Sequence, residues 1–281
     1  MTLAVFSAVL AAALMHASWN ALIKVRLDRF ASISLTALGM AVIALPVLPF
    51  VAFPGKEAWV WIGVSLCMHI GYRLFLIRAY GVGDLAQTYP LARGSAPLIT
   101  TIGGIVFIQE VPGQYAMAGI LLLSAGTFLM CLRGGGRLSA LNPAAVFYAL
   151  TTSLFIAAYT LADGLGAREA PSALSYAAWL FVCDGIVATS VALIYRGRHL
   201  AHILSQEWRI GLMTGLLSGA AYAIAMWAMT KAPIASVASL RESSIVFAMA
   251  ISVFVLGEKM TGWRAASALC IVAGVVALRL S

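Results

Sequence analysis

Ten apolar runs, separated by short polar gaps, fill almost the whole sequence. An α-helix needs roughly 20 predominantly apolar residues to cross the hydrocarbon core of a bilayer. Only 10% of the residues are charged and 62% are hydrophobic, whereas soluble domains average about 25% charged residues. The 281 residues therefore carry too few charges for a water-soluble surface, and almost no length remains for a soluble domain.

Polar and Gly/Pro-rich gaps between the runs predict ten membrane-spanning helices. They are expected at residues 3–23, 31–52, 58–79, 85–108, 114–132, 143–163, 172–195, 208–229, 234–256 and 262–280. Several gaps are only about six residues long, so successive helices are antiparallel neighbours, and each backbone polar group must be satisfied inside a helix. The predicted fold class is an all-α integral membrane bundle.

A repeat relates the two parts of the chain. At one ungapped offset of 148 positions (211 minus 63 for one pair of matching glycines), Arg93 aligns with Arg241 and Glu110 with Glu258. Matches between alanines or leucines arise by chance in so apolar a chain, but matches of an intramembrane arginine and of a loop glutamate rarely do. The offset places predicted helices 3, 4 and 5 on helices 8, 9 and 10.

Each part then has five spans, so we expect five-helix repeats at residues 1–132 and 143–281 within a single transmembrane domain. An odd number of spans inserts the two repeats with opposite orientation. Inverted repeats around a central cavity near the midplane are typical of secondary transporters. This organisation favours a transporter over a receptor, which has no comparable need for the symmetry.

Lysine and arginine residues concentrate in the odd-numbered connections between the predicted helices. The odd connections contain Lys24, Arg26, Arg29, Arg78, Arg133, Arg137, Arg196, Arg198, Arg209, Lys259 and Arg264, and the even ones contain Lys56, Arg168 and Lys231. The positive-inside rule predicts that the odd connections are cytoplasmic and that both termini face the outside or periplasm. Despite the net charge of +8, no continuous basic face for a nucleic acid is formed.

Helices 1 and 3 each place polar and aromatic side chains on one face, at spacing i, i+3 and i+4. They are His16, Trp19 and Asn20 on helix 1, and His69, Tyr72 and Arg73 on helix 3. Polar groups at membrane depth face the interior of a bundle. Both faces are interpreted as lining of a substrate cavity, with interhelical hydrogen bonding as the alternative, and with snorkelling as a further alternative for Arg73.

Helix 4 contains Pro90 and Pro97, and Tyr89 shares a face with Arg93. Because proline removes a backbone donor, the sequence predicts a broken helix 4 with carbonyl groups exposed to a cavity. Arg93 and its repeat partner Arg241 are expected near the midplane. A guanidinium binds a carboxylate or a phosphate at two points, so this pair suits an anionic group of a substrate.

Carboxylates near the spans have several possible roles. Asp184 and Glu242 are candidates for ion coupling, because a desolvated carboxyl can take up a proton during transport. Glu242 could instead form an internal pair with Arg93 or Arg241. Asp84 and Asp163 lie near predicted helix ends and are interpreted as capping or solvated groups.

Aromatic side chains are also frequent at mid-span positions, namely Tyr148, Tyr159, Trp179, Tyr222 and Trp227. Of these, Tyr159, Tyr222 and Trp227 join the candidate substrate-binding residues, since aromatic rings stack on aromatic or cationic solutes. Ordinary packing is the alternative. The sequence has no hydrolase, zinc-protease, P-loop or dinucleotide motif, and its four cysteines share no metal-ligand spacing. We therefore expect neither an enzyme nor a metal site.

Short motifs resemble the drug/metabolite transporter superfamily in its ten-helix, EamA-like branch. They are ASVASL at 235–240, VLGEKMTGW at 255–263, the first-half counterpart FIQE at 107–110 and ASWN at 17–20. The first half has Gln109 where the family usually has glycine. Within the branch, the arrangement looks most like bacterial exporters of aromatic amino acids and methyl viologen.

The resemblance implies a cavity lined by helices 1, 3, 4, 6, 8 and 9, export of amino acids by alternating access, and no organic cofactor. The expected partners are a small-molecule substrate and membrane lipids. Two alternatives stay open. One is a multidrug or organic-cation exporter, with Glu242 as counter-charge, and the other is a sugar-phosphate or nucleotide-sugar translocator.

Overall fold

A computed structural model describes residues 1–24, 29–83, 85–130, 142–255 and 257–281. Asp84, with its predicted capping role, lies outside the described residues, as does the glycine-rich connection at 131–141. Every regular element in the described ranges is helical. The prediction of an all-α membrane bundle is confirmed.

The first half contains α1 (Leu3–Lys24), α2 (Arg29–Ala44), α3 (Lys56–Val82), α4 (Leu85–Gly103) and α5 (Gln114–Leu129). The second half contains α6 (Pro143–Glu169), α7 (Ala173–Gln206), α8 (Trp208–Met229), α9 (Ile234–Arg241), α10 (Ser244–Phe254) and α11 (Gly262–Leu280). A 3₁₀ turn at Leu45–Phe50 prolongs α2, and a π turn at Gly104–Ile108 prolongs α4. In the described ranges, 9 apolar segments are long enough to cross a membrane, and Gln114–Leu129 is a shorter apolar helix.

The predicted break in helix 4 is wrong, because α4 continues through both Pro90 and Pro97. A membrane helix tolerates proline where hydroxyl groups and neighbouring helices stabilise the local backbone. Here Thr101 donates to the carbonyl of Pro97 at 2.8 Å, and Ser153 of α6 donates to the carbonyl of Ala92 at 2.8 Å. The interruption lies instead between α9 and α10, which together form predicted helix 9.

Helix packing follows the same pattern in both halves. α1 packs against α8 and α10, and α6 packs against α3 and α4, while α2 pairs with α7 and α5 with α11. Exchanging the two halves therefore exchanges one set of contacts for the other. This packing is the arrangement expected of two five-helix repeats, whose residue limits stay predictions.

Equivalent positions at the 148-residue offset also follow the same backbone path. Gln109 and Gly257 both have positive φ, at 60° and 68°. The next amides then fold back in the same way, from Glu110 to the carbonyl of Gly104 at 3.0 Å and from Glu258 to that of Ser252 at 3.1 Å. A left-handed residue is uncommon outside glycine, so a shared turn at this point is informative about the repeat.

Candidate functional site

Four aromatic side chains meet where α3, α6 and α8 converge, and we call them the aromatic cluster: His69, Tyr72, Tyr159 and Tyr222. His69 stacks on Tyr159 with ring centroids 4.2 Å apart, and Tyr72 approaches Tyr159 edge-on at 5.8 Å. Tyr222 meets Tyr159 edge-on at 6.4 Å. Three separate spans therefore bring together residues that the sequence assigned to one site.

Arg241, the last residue of α9, lies over the ring of Tyr222 with its guanidinium carbon 4.8 Å from the ring centroid. Within the part of the chain that the structure describes, it forms no ion pair and no hydrogen bond. Contact with an aromatic face stabilises a cation, but it leaves the donors of the guanidinium available. Arg241 interacts electrostatically with the neighbouring Glu242, which is already paired with Arg93, so the hydrogen-bond donors of Arg241 remain open to an anionic group.

The other arginines of the central region are paired. Arg93 of α4 binds Glu242 at two points, with N–O distances of 3.1 and 2.9 Å. Arg73 of α3 binds Asp184 of α7 at two points, at 2.9 and 2.5 Å. For Glu242, the structure shows the internal pairing that the sequence left open. Two-point pairs of this kind hold helices together and neutralise both carboxylates.

Asp163 corrects the interpretation of a capping or solvated carboxylate, because α6 continues to Glu169 and the side chain of Asp163 is fully buried. Tyr176 of α7 donates to one carboxylate oxygen at 3.1 Å, and Tyr222 of α8 donates to the other. The sequence signal was its i, i+4 spacing from Tyr159, which places both residues on the same face of α6.

Residues of α1 lie at the edge of this region. Trp19 donates its indole N–H to His16 Nδ1 at 3.3 Å, and Asn20 donates to the carbonyl of His16 at 2.8 Å, so their contacts lie within the helix. His16 is close enough to Arg93 and Arg241 to interact with both electrostatically. Among the three candidate residues on α1, His16 is therefore the one that interacts with the central arginines.

Tyr89 lies close to the central arginines, whereas Trp227 does not lie with the aromatic cluster. Tyr89 lies one helical turn before Arg93 on α4 and interacts with it electrostatically. Trp227 lies on α8 five residues after Tyr222, which is about 140° around the helix, and 39% of its surface is exposed. Trp227 therefore lies apart from the aromatic cluster.

Two cavities border the central region. The smaller one, about 20 Å³, lies between α4, α6 and α9 and is lined by Arg93, Tyr159, Arg241 and Glu242 among others. That volume suits roughly one water molecule. The larger one, about 330 Å³, lies between α2, α3 and α7, with apolar walls and with Arg73 and Arg78 in its lining. We call it the lateral cavity.

Among the residues that the structure describes, no group of three His, Cys, Asp or Glu side chains could hold a metal ion. In the part of the chain that the structure describes, the central region combines aromatic faces, hydrogen-bonding hydroxyls and Arg241, a cation that forms no ion pair there. Such a set can recognise a small organic solute by stacking and by an anionic group.

Comparison with known proteins gives a consistent result. The model of the EamA-like transporter family matches residues 3–132 and 143–280. No curated protein matches the sequence. One crystal structure, of a protein that is 18% identical, superposes with a TM-score of 0.77 and covers 100% of this chain and 98% of its own. That likeness shows a shared fold.

Proposed function

The chain belongs to the EamA-like transporter family, and from that premise we propose that it exports small metabolites, above all aromatic amino acids, by alternating access. The family establishes a membrane transporter of small molecules. Substrate class and direction are our proposal, and the central region supports the substrate class.

Arg241 is the observation on which the proposal rests. Both other central arginines are neutralised by a carboxylate, whereas Arg241 has no such partner among the described residues. A cation at membrane depth is costly, and one that lacks a protein counter-ion marks a site for a charged solute. A guanidinium binds a carboxylate at two points, so the α-carboxylate of an amino acid suits Arg241.

The aromatic cluster supports an aromatic side chain on the substrate. His69, Tyr159 and Tyr222 present stacked and edge-on rings beside the same arginine. Aromatic contacts contribute about 0.5–1.5 kcal/mol beyond the area that they bury. This weak but specific attraction suits a carrier, which must also release its solute.

An amino acid does not fit the central cavity of about 20 Å³, so the helices must separate before the solute binds. Ligand pockets usually measure about 300–1,000 Å³, a range that includes the lateral cavity. We propose that the solute passes from the lateral cavity along α3, past Arg73 and Tyr72, to Arg241. The described conformation is then one with a contracted central site.

The central region favours a phosphate-containing solute over an organic cation as the alternative substrate. A phosphate would bind Arg241 by the same two-point chemistry, so a sugar-phosphate or nucleotide-sugar translocator remains the second candidate. An organic-cation exporter would use Glu242 as counter-charge, but Arg93 already neutralises Glu242. That pairing makes a cationic substrate the less favoured proposal.

Uptake of radiolabelled solutes by proteoliposomes tests the proposal. Amino acids, sugar phosphates, nucleotide sugars and lipophilic cations are compared for the wild type, Arg241→Gln and Arg209→Gln. Arg209 is a matched control, since it also lies over an aromatic ring, at 5.4 Å from Trp208, but is exposed. We expect the wild type to take up phenylalanine. Arg241→Gln should lower this uptake at least about tenfold, because it removes one charge-assisted hydrogen bond to the solute. Unchanged uptake in Arg241→Gln would exclude Arg241 from the site.

The proposed orientation places both termini in the periplasm of a bacterial inner membrane. Arg279 donates to the carbonyl of Met1 at 3.3 Å, so the two termini lie on the same face. Which face is periplasmic rests on the distribution of lysine and arginine. Labelling of Ser281→Cys in intact cells by a membrane-impermeant thiol reagent supports the proposal, whereas labelling only after disruption contradicts it.

A further inference from the structure

Asp163 is a buried carboxylate that the proposed binding of a carboxylate by Arg241 does not use. It is 0% exposed. The hydroxyls of Tyr176 and Tyr222 donate to it, and Ser65 is a further hydrogen-bonding side chain. No lysine or arginine among the described residues forms an ion pair with it. A buried carboxylate without a cation is stabilised either by taking up a proton or by a nearby positive charge.

The groups that face Asp163 come from four other helices. Ser65 and His69 of α3 lie close to it, and His69 Nδ1 is itself 3.1 Å from the hydroxyl of Ser65. Tyr176 of α7 and Tyr222 of α8 donate to it directly, and Arg241 of α9 lies over the Tyr222 ring. On α6 itself, Tyr159 interacts with Asp163 electrostatically. Tyr222 therefore contacts both Asp163 and a fixed positive charge, Arg241.

Tyr222 joins the two charges in a way that suits a zwitterion. Its hydroxyl donates to Asp163, and the same oxygen still has a lone pair to accept a hydrogen bond. In an α-amino acid, the ammonium and the carboxylate are attached to the same carbon atom. With the carboxylate on Arg241, the ammonium can donate to the Tyr222 oxygen and be stabilised by the charge of Asp163.

We propose that Asp163 is a proton-binding site at which a proton competes with the ammonium group of the substrate. This inference rests on the proposed function, because the competitor is the proposed amino acid. The ionised carboxylate stabilises the ammonium through Tyr222, and a proton on Asp163 removes that stabilisation. Transport then exchanges one amino acid for one proton, so an inward proton gradient drives export.

A matched pair of solutes tests the competition by equilibrium binding to purified protein in lipid nanodiscs. Phenylalanine carries the ammonium, and 3-phenylpropionate has the same ring and carboxylate without it. For one competing proton, the apparent Kd of phenylalanine should rise with falling pH once Asp163 takes up a proton, towards a limiting slope of about tenfold per pH unit, by linkage. Over the pH range in which its own carboxylate stays ionised, 3-phenylpropionate should not bind more weakly in acid. If both solutes lose affinity equally in acid, the proton does not compete with the ammonium.

Asp163→Asn should abolish the pH dependence of phenylalanine binding, and Glu57→Gln should retain it. Glu57 is a suitable control because it is an exposed carboxylate in the first turn of α3. A persistent tenfold dependence in folded Asp163→Asn would place the competing proton elsewhere and overturn the proposal.

Infrared difference spectra of the substrate-free protein at about pH 5 and pH 8, the range of physiological titration, give a second readout. They require no substrate. In the wild type at the lower pH, we expect the carbonyl band of a protonated carboxyl. This band should be absent from Asp163→Asn. It should be displaced in Tyr222→Phe, because the carboxyl there lacks one hydrogen bond. If phenylalanine does not bind but this band is present, the proposed substrate is wrong and the proton site stands. If phenylalanine binds without pH dependence and no such band exists, the proton site alone is wrong.

Discussion

Individual charged residues in the centre of the bundle are arranged in pairs that span different helices. Arg73 and Asp184 join α3 to α7, and Arg93 joins α4 to Glu242 at the end of α9. In each pair, the positive and the negative side chain neutralise one another. In the proposed function, the solute is recognised by Arg241 and Asp163, which form no such pair among the described residues.

Replacing one member of the Arg73–Asp184 pair should destabilise the protein more than replacing both members by apolar residues. The side chains are only 17% and 11% exposed. Loss of one member of a buried pair costs about 3–5 kcal/mol, whereas replacing both by apolar residues is often neutral. We expect purified Asp184→Asn to melt well below the wild type and Arg73→Met/Asp184→Leu to recover most of the difference. A single variant with the wild-type melting temperature would show that the pair contributes little.

Among the helices, glycine determines where two backbones approach closely. α2 and α8 cross at Gly39 and Gly215, where a Cβ added to Gly215 would lie 2.7 Å from the Cα of Gly39. Small residues of this kind allow close packing of membrane helices. The repeat counterpart of this region on α3 includes Gly63, which has no neighbour within 4 Å of an added Cβ.

Gly215→Ala and Gly63→Ala should therefore have opposite effects on thermal stability. Gly215→Ala pushes α2 and α8 apart, and overpacking of this kind typically costs about 1–3 kcal/mol. Gly63→Ala meets open space and gains helix propensity, which is worth about 1 kcal/mol. Melting of the two purified variants in the same detergent checks this expectation. Equal destabilisation would mean that the two positions are packed alike.

Hydropathy was sufficient to locate most helices, because the length of a span is fixed by the bilayer. The breaks were harder to predict. Two prolines indicated an interruption in α4, but neighbouring hydroxyls stabilise that helix, and the break at Glu242 and Ser243 has no proline. Asp163 was assigned to a helix end because the predicted span was 143–163, whereas α6 continues to Glu169. Its partners, Tyr176 and Tyr222, lie 13 and 59 residues away, and local sequence patterns do not reveal such contacts.

At the scale of the whole molecule, the lateral cavity is an opening between α2, α3 and α7. It is about 330 Å³ in volume, and Arg73 connects its lining to the aromatic cluster on the same helix. On the proposed route, a solute occupies this cavity before it reaches Arg241.

Filling the lateral cavity should therefore block transport. Val191→Trp places an indole in its lining, and we expect phenylalanine uptake to fall to near background. Ile194→Trp adds the same side chain on the same helix, at a residue that is 83% exposed, and should transport normally. Equal uptake by the two variants, with equal amounts of folded protein in the liposomes, would remove the cavity from the route.

Counterflow with the purified wild type tests the central claim, carrier-mediated transport of aromatic amino acids, most directly. Liposomes are preloaded with unlabelled phenylalanine and diluted into a trace of labelled phenylalanine. An alternating-access carrier exchanges unlabelled phenylalanine inside the liposome for labelled phenylalanine outside. The account therefore predicts that label accumulates transiently above its equilibrium level, and that protein-free liposomes show no such accumulation. Label that never exceeds the protein-free level would contradict the account.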